Sequence, residues 1–341
     1  MVNDKPLVSV IMCEHNTPKD LLIESLQSMI FQSYQNFELI FVDDCSLTKY
    51  DDINLLCDER VHIIRNKRNL GLAASRNIGI AKARGKYIAI MDTDDISDIT
   101  RIEKQVKFME SHDDVVVCGT WFRLIGKQTG TVKRVIEDNE YYRCCLLFDN
   151  VPTIINPSTM IRRSVMIDNQ IWLDENLRTA EDYQLWVSIS KYGEVTNLKE
   201  VLFSYRIRDN QMSAVNRSYD ISDAGWYIRK KQLTELGMTI DKETENFVRM
   251  NFLRTEVDAI RYFKFLKQIL ALNKKTNIFS QEKLKLRVQK QWEQKIYSIK
   301  NPFTLIKLLL LLPLRYKIYL IRSEMKRLNR KKMRALSEEL E

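Results

Sequence analysis

The stretch Tyr87-Ile88-Ala89-Ile90-Met91-Asp92-Thr93-Asp94-Asp95 decides the fold. Its apolar run reads as a strand covered on both faces, the kind found in parallel sheets flanked by helices. The run stops at Asp92-Thr93-Asp94-Asp95. Hard oxygen ligands at a strand end suit Mg2+ or Mn2+, which then bridges phosphate oxygens. The plainer reading is a solvated acidic turn or helix cap. The position directly behind a buried strand favours the ion site.

Outward from this stretch the first 120 residues alternate regularly. Leu7–Met12 reads as a strand, and Lys19–Phe31 as a helix with Leu22, Leu26 and Met29 on one face. Thr17-Pro18 is expected to supply the N-cap and first-turn proline of that helix. Phe37–Val42 is a second strand ending on Asp43-Asp44, Asp51–Asp58 a short helix, and Val61–Arg65 a third strand. Leu72–Arg84 reads as a helix stopped by Gly85 as a C-terminal cap residue. Arg101–Glu110 is a helix and Val115–Ile125 a longer strand. Strand–helix alternation at this spacing predicts an α/β fold with a mostly parallel sheet. Ligands in such sheets sit beyond the carboxyl ends of the strands. Asn16, Asp43-Asp44 and Asp92 to Asp95 all fall there, and acids gathered at one edge point to a site.

Six cysteines show no Cys-x-x-Cys pair and no zinc spacing with the three histidines, so reduced thiols and a cytoplasmic setting are expected. Met1 to Pro6 is polar and runs straight into a strand, without a signal-peptide pattern. The net charge of +9 is unevenly spread. Arg261 to Ser337 is strongly basic, while residues 1–260 are mildly acidic. That asymmetry points to a polyanionic partner for the tail. After about residue 220 long helical stretches take over. Thr304–Leu314 is leucine-rich, flanked by Lys and Arg, and too short to span a bilayer, which needs about 20 apolar residues.

Several groups carry candidate chemistry. A carboxylate at Asp43-Asp44 can accept hydrogen bonds from a base N–H or a ribose hydroxyl, although Asp pairs also begin ordinary turns. Asn69-Leu70-Gly71-Leu72-Ala73-Ala74-Ser75-Arg76-Asn77 opens a helix with small residues. Its N-terminus and Arg76 favour an anion, against ordinary helix packing with a surface Arg. Glu181-Asp182 opens an aromatic-rich helix, where an acid usually just caps; as a general base it must face the acceptor hydroxyl. Of the histidines, only His15 stands at the mouth of a strand. The cysteines read as core residues rather than nucleophiles.

Together these segments resemble the family-2 inverting glycosyltransferases, enzymes of the GT-A fold and, here, of the non-processive bacterial type. The resemblance runs from about Leu7 to Ser213. It rests on Val8-Ser9-Val10-Ile11-Met12 with Asn16, Phe37 to Ser46, and Asn69-Leu70-Gly71 with Ser75-Arg76-Asn77. Asp92-Thr93-Asp94-Asp95, Asn156-Pro157-Ser158, and Glu181-Asp182 with Leu185-Trp186 complete it. It implies a GT-A domain over 1–215, with 1–120 binding the nucleotide-sugar and 121–215 on the acceptor side, followed by a basic helical region over 216–341. It implies that Asp44 contacts the uracil ring, that Cys13 and His15 line the base pocket, that Asn16 is among the residues binding the nucleotide-sugar, and that Arg76 lies near base or diphosphate. Asp92 is implied near the ribose or metal shell, Asp94 as ligand of Mn2+ or Mg2+, and Asp182 as general base. Asn156, Glu181 and Trp186 are implied around the donor or acceptor sugar. Cys13-Glu14-His15 departs from the usual Pro-Thr-Tyr, and Glu14 beside a nucleotide is unexpected. Asn156 stands where a His often precedes Pro-Ser. The Gln-x-x-Arg-Trp element of polymer synthases is absent.

The expected reaction moves a hexose or N-acetylhexosamine from a UDP-sugar to a hydroxyl of a glycan or lipid-linked acceptor, with inversion, in bacterial surface polysaccharide or lipooligosaccharide synthesis. For the tail, the first expectation is an anchor on the anionic inner face of the cell membrane. The second is a packed helical extension, with its Leu-rich run as core or homodimer interface. No nucleic-acid-binding module is visible. The rival enzyme is a sugar nucleotidyltransferase, which calls for a Gly-rich loop where this chain has Cys-Glu-His-Asn-Thr-Pro. A non-catalytic membrane-surface scaffold is a third reading, disfavoured because Asp94 and Asp182 are both present.

Overall fold

The structure is a computed structural model that describes residues 5–47, 50, 52–148, 153–208, 220–249, 253 and 255–297. It divides into two compact units, Met1–Ile228 and Arg229–Glu341.

The first unit is built on one mixed sheet. Its strands are β1 (Val8–Glu14), β2 (Phe37–Asp43), β3 (Val61–Arg65), β4 (Tyr87–Asp92), β5 (Ile96–Ser97), β6 (Val115–Gly126), β7 (Gly130–Val132), β8 (Met160–Arg162) and β9 (Glu194–Ile207). They lie in the order β3-β2-β1-β4-β8-β6-β9-β5, with β7 paired to β6. The run β3-β2-β1-β4 is parallel. β8 is antiparallel to both β4 and β6, and β9 runs parallel to β6.

Alternation along the central strands sets the layers. Val8, Val10 and Met12 of β1 point to one face and pack with Leu22 and Leu26 of α1 (Lys19–Ile30) and Ile102 and Val106 of α3 (Arg101–Glu110). Ile11 points to the other face and packs with Ala73 and Ile80 of α2 (Leu72–Lys82) and Tyr183 and Trp186 of α6 (Glu181–Ile189). Each buried aliphatic side chain contributes about 1.5–3 kcal/mol relative to exposure, so the two-sided burial fixes the register of β1. α4 (Asn139–Leu146) and α5 (Arg163–Asp168) complete the helices between α3 and α6. α2 and α6 therefore cover the same face, although about a hundred residues separate them.

Three local expectations are revised. Thr17 does not cap α1: the N-cap residue is Pro18, without a side-chain cap bond, and the Thr17 hydroxyl instead shares a hydrogen bond with Thr93 at 2.8 Å. α2 ends at Lys82 with Ala83 as its C-cap residue, so Gly85 is no cap. A Cβ on Gly85 would stand 2.6 Å from Ser9 N and 2.8 Å from Leu7 O, so close approach to β1 explains the glycine. Between β2 and β3 the expected helix is only a 3-10 turn, Asn54–Cys57.

α7 (Asp220–Glu235) spans the division between the units. In the second unit, α8 (Lys242–Arg249), α9 (Glu256–Thr276) and α10 (Gln281–Tyr297) follow one another. Phe247 of α8 meets Tyr262 and Phe265 of α9, with ring centroids 5.7 and 5.4 Å away. Trp292 of α10 meets Phe263 at 5.0 Å. Thr255 and Asp258 form a reciprocal capping box at the start of α9. Among the described residues no helix is long and apolar enough to cross a membrane. The Leu-rich run 304–314 lies outside the described residues.

Candidate active site

The parallel register brings the strand ends to one edge. Cys13 sits opposite Asp92, and Glu14 opposite Asp43. Against this edge stands Arg76, one turn into α2 and almost wholly buried. Its Nη2 donates to Asp92 Oδ1 and its Nη1 to Glu181 Oε1, both at 2.7 Å. Burial opposes its charge, and the two carboxylates more than compensate, so its pKa stands above the ordinary value. Burial likewise pushes the Cys13 thiol up to about 12, which keeps it neutral and unreactive.

The acidic turn after β4 splits into two roles. Asp94 Oδ2 accepts from Arg208 Nη2 at 2.6 Å, and the Asp94 carbonyl accepts from Arg206 Nε at 2.7 Å. Burial first, then the neighbouring Asp92, raises the Asp94 pKa, while Arg208 lowers it. Asp95 turns inward. Its Oδ1 accepts from the Arg206 N–H at 2.7 Å, Oδ2 is buried without a hydrogen-bond partner, and burial reinforced by Asp92 and Asp94 pushes its pKa well up. Arg206 and Arg208, at and just beyond the end of β9, are site residues the sequence reading missed; their signal was an Arg-x-Arg leaving a strand.

The Asp44 carboxylate is already engaged. Its Oδ1 accepts from Leu70 N and Asn66 Nδ2 and its Oδ2 from Gly71 N, each at 2.8 Å. It thereby ties the start of α2 to the end of β2. His15 Nδ1 lies 2.9 Å from the Asp44 carbonyl, and Nε2 lies 3.1 Å from Asn16 Nδ2 and 2.9 Å from Asn69 Nδ2. The network assigns the proton to Nδ1, because the two amides donate to Nε2. Asn16, at φ +57°, accepts from Leu47 N–H through its side chain. Glu14, odd beside a nucleotide on the sequence reading, is buried and turned from the edge. Its Oε1 accepts from Thr17 N at 2.7 Å and from the Tyr50 hydroxyl at 3.0 Å.

α6 begins behind Ala180, which adopts a left-handed conformation at φ +61°. Such a residue costs roughly 1–2 kcal/mol, and here it turns Glu181 and Asp182 in the first turn toward the edge. Asp182 is half-buried, and its Oδ1 accepts from Tyr183 N at 2.7 Å. Burial, then the charge of Glu181, raises its pKa to about 7 against the pull of the Tyr183 N–H and Arg76. Trp186 is fully buried in the core beneath, so its indole supports α6 rather than lining an open surface. Asn156 is buried too, with neither amide atom partnered among the described residues. The structure thus joins Cys13, Arg76, Asp92 and Glu181 directly, sets Asp182 and Asp94 beside them electrostatically, and holds His15, Asn16 and Asp44 together in the neighbouring loops.

Known proteins place this arrangement. The family model described as glycosyl transferase family 2 matches residues 9–169. An uncharacterised glycosyltransferase of Haemophilus influenzae is 32% identical over 240 residues, 67% of this chain and 74% of that protein. The chain belongs to glycosyl transferase family 2. Bacillus subtilis TuaG, named as a teichuronic acid biosynthesis glycosyltransferase, is 31% identical over 68% of this chain and 90% of its own length. Among solved structures, S. aureus TarS 1-349 in complex with UDP-GlcNAc superposes with a TM-score of 0.55 at 14% identity, covering 85% of this chain and 91% of that one. The family 2 domain accordingly has a GT-A-like fold, and the matched residues 9–169 include the ends of β1, β2 and β4.

Proposed function

We propose that this glycosyltransferase moves a hexose or N-acetylhexosamine from a UDP-sugar to a hydroxyl of a glycan or lipid-linked acceptor, with inversion at the sugar carbon. One observation carries the reading: the carboxyl of Asp182, half-buried at the head of α6 with its pKa raised to about 7, beside an Arg76 that also holds Asp92. A general base works best when its pKa lies near the working pH. In this reading Asp182 takes the acceptor proton as the oxygen attacks from the side opposite the diphosphate. Arg76 holds Asp92 and Glu181 in place around the donor, and the loop anchored by Asp44 presents the N-terminus of α2 to the nucleotide.

A divalent cation fits the acidic turn. Burial and then the charge of Asp92 raise the Asp94 pKa in a partly buried place, which is the setting a hard cation relieves. Among the described residues no group of three or more His, Cys, Asp or Glu converges. Asp94, with Asp92 beside it, would hold Mn2+ or Mg2+, with water and phosphate free to supply the remaining ligands. When bound, such an ion supplies charge that stabilises the departing diphosphate.

A UDP donor is favoured by the likeness to TarS, whose structure holds UDP-GlcNAc, and polysaccharide synthesis by the likeness to TuaG. The basic C-terminal region is read as an anchor to an anionic membrane surface, which suits a lipid-linked acceptor. The test is a donor-hydrolysis screen of UDP- and GDP-sugars with Mn2+. UDP-hexose turnover that Asp94→Ala abolishes supports the reading; equal turnover by the variant contradicts it.

A further inference from the structure

Between α2, α6 and the segment 170–176 lies a shallow cavity of about 660 Å3. Asn77, Gln170, Trp172, Glu175, Asn176 and Gln184 contribute to its lining. Asn77 follows Arg76 on α2, and Gln184 lies two positions beyond Asp182 on α6. The two helices that carry the catalytic edge thus show their other faces here.

The walls are braced. Asn77 Nδ2 donates to the Leu173 carbonyl at 2.9 Å and to Glu175 Oε1 at 3.0 Å, while its Oδ1 accepts from Leu173 N at 3.1 Å. Gln184 Oε1 accepts from Asp174 N at 3.1 Å. Ile171 and Leu173 are buried, which turns Trp172 between them outward with 37% of its surface exposed. The indole stands partly open on this anchored segment, above a lining of amides and carboxylates.

The lining chemistry narrows the ligand. Among the described residues no Lys, Arg or His lines the cavity, while acids and amides do. That composition repels phosphate, nucleic acid and anionic lipid. An exposed aromatic face beside paired amide and carboxylate groups matches a neutral polyhydroxylated ligand, whose C–H faces stack on the ring and whose hydroxyls bond the rim. We infer that this groove is a second carbohydrate site, which holds a neutral glycan apart from the catalytic edge. Its role as a hold on the acceptor chain rests on the glycan-acceptor reading above; the binding itself does not.

The test uses the full chain on an array of uncharged oligosaccharides of hexose and N-acetylhexosamine, three to six sugars long, beside a set of cationic peptides. Trp172→Ala and Trp172→Phe are run in parallel, with Tm to confirm folding and UDP-sugar hydrolysis as a separate readout. We expect the full chain to retain a subset of the glycans, with about tenfold or greater weakening in Trp172→Ala and most binding kept in Trp172→Phe. Donor hydrolysis stays the same in all three. Failure of the transferase reading shows instead as absent donor hydrolysis with glycan retention intact. No glycan retention, equal retention by Trp172→Ala, or retention of the cationic peptides only overturns the inference.

Discussion

Arg76 Nη1 donates to Glu181 Oε1 at 2.7 Å across 105 positions of chain. The same guanidinium holds Asp92 with its other arm, so one side chain joins the end of β4 to the head of α6. Its planar fork suits two carboxylates at once, which a lysine ammonium cannot match.

Arg76→Ala leaves Glu181 buried without its partner. Removing one member of a buried pair costs about 3–5 kcal/mol, and the low end applies because Asp92 is partly open to water. Thermal denaturation is expected to show the loss, with Arg76→Lys recovering only part of it. Full stability in Arg76→Ala would falsify the bridging role.

Turnover is expected to rise with pH through about 7, because Asp182 accepts a proton only when ionised. Arg76 lowers that pKa, so Arg76→Ala moves the limb to higher pH. Asp182→Asn should lose about 10²–10⁴-fold in kcat and erase the limb. A pH profile flat from 5 to about 9 in the unaltered enzyme rules out Asp182 as the base.

Stability carries the opposite sign. The Asp182 carboxyl holds its proton to about 7 when folded and only to the ordinary carboxyl value of 3.8 when unfolded. Between those values the folded state binds more protons, so this group makes stability fall as pH rises, and the full cost stands above about 7. Asp182→Asn is therefore expected to raise Tm at pH 8 more than at pH 5. An equal shift at both contradicts the buried, raised carboxyl.

Asp44→Ala removes three hydrogen bonds and orphans the Leu70 N–H, while Gly71 N keeps Asn69 Oδ1 and the Asn66 amide keeps Ser75 Oγ. Each unsatisfied group costs about 1–3 kcal/mol when buried, and less here where the loop is part-exposed. A Tm fall of about 5–10 °C is expected. UDP affinity, read by calorimetry, is expected to weaken with it, since the loop positions the start of α2. Unchanged Tm would show that the loop holds without this carboxylate.

Gly85→Ala is expected to cost about 1–3 kcal/mol, because its Cβ would press on the backbone of β1, which cannot turn aside. Gly71→Ala meets nothing within 4 Å but is strained by its φ of +92° and ψ of 161°, a region nearly reserved for glycine, at a cost of about 1–3 kcal/mol. Chemical denaturation of both variants checks this. If Gly85→Ala is neutral, the close approach does not hold.

Much of the fold was legible because its signals are local. Val61–Arg65 and Arg101–Glu110 have the bounds expected of them, and β1, β2 and β4 run only one or two residues past the expected ends, onto their acidic termini. Expectations failed where a residue's partner lies far along the chain. Thr17 looked like a cap and bonds Thr93; Gly85 looked like a helix stop and makes room for β1. Asp44 offered a carboxylate for a base, and the fold adds a bracing role, with three donors from the next loop bonded to it. Trp186 looked like a sugar platform and is core, while Trp172, which drew no notice, is the indole left open.

The order of residues determined the strands, the helices and the acids at their ends, because burial periodicity and short-range sterics act within a few positions. It also fixed the unequal charge of body and tail, which composition alone carries. The sheet order, the insertion of β8 between β4 and β6, and the meeting of Arg76 with Glu181 were decided only in three dimensions. The raised pKa of Asp182 belongs to that second class as well. It comes from lost water and from charges that the fold draws together, and neither is written at any one position.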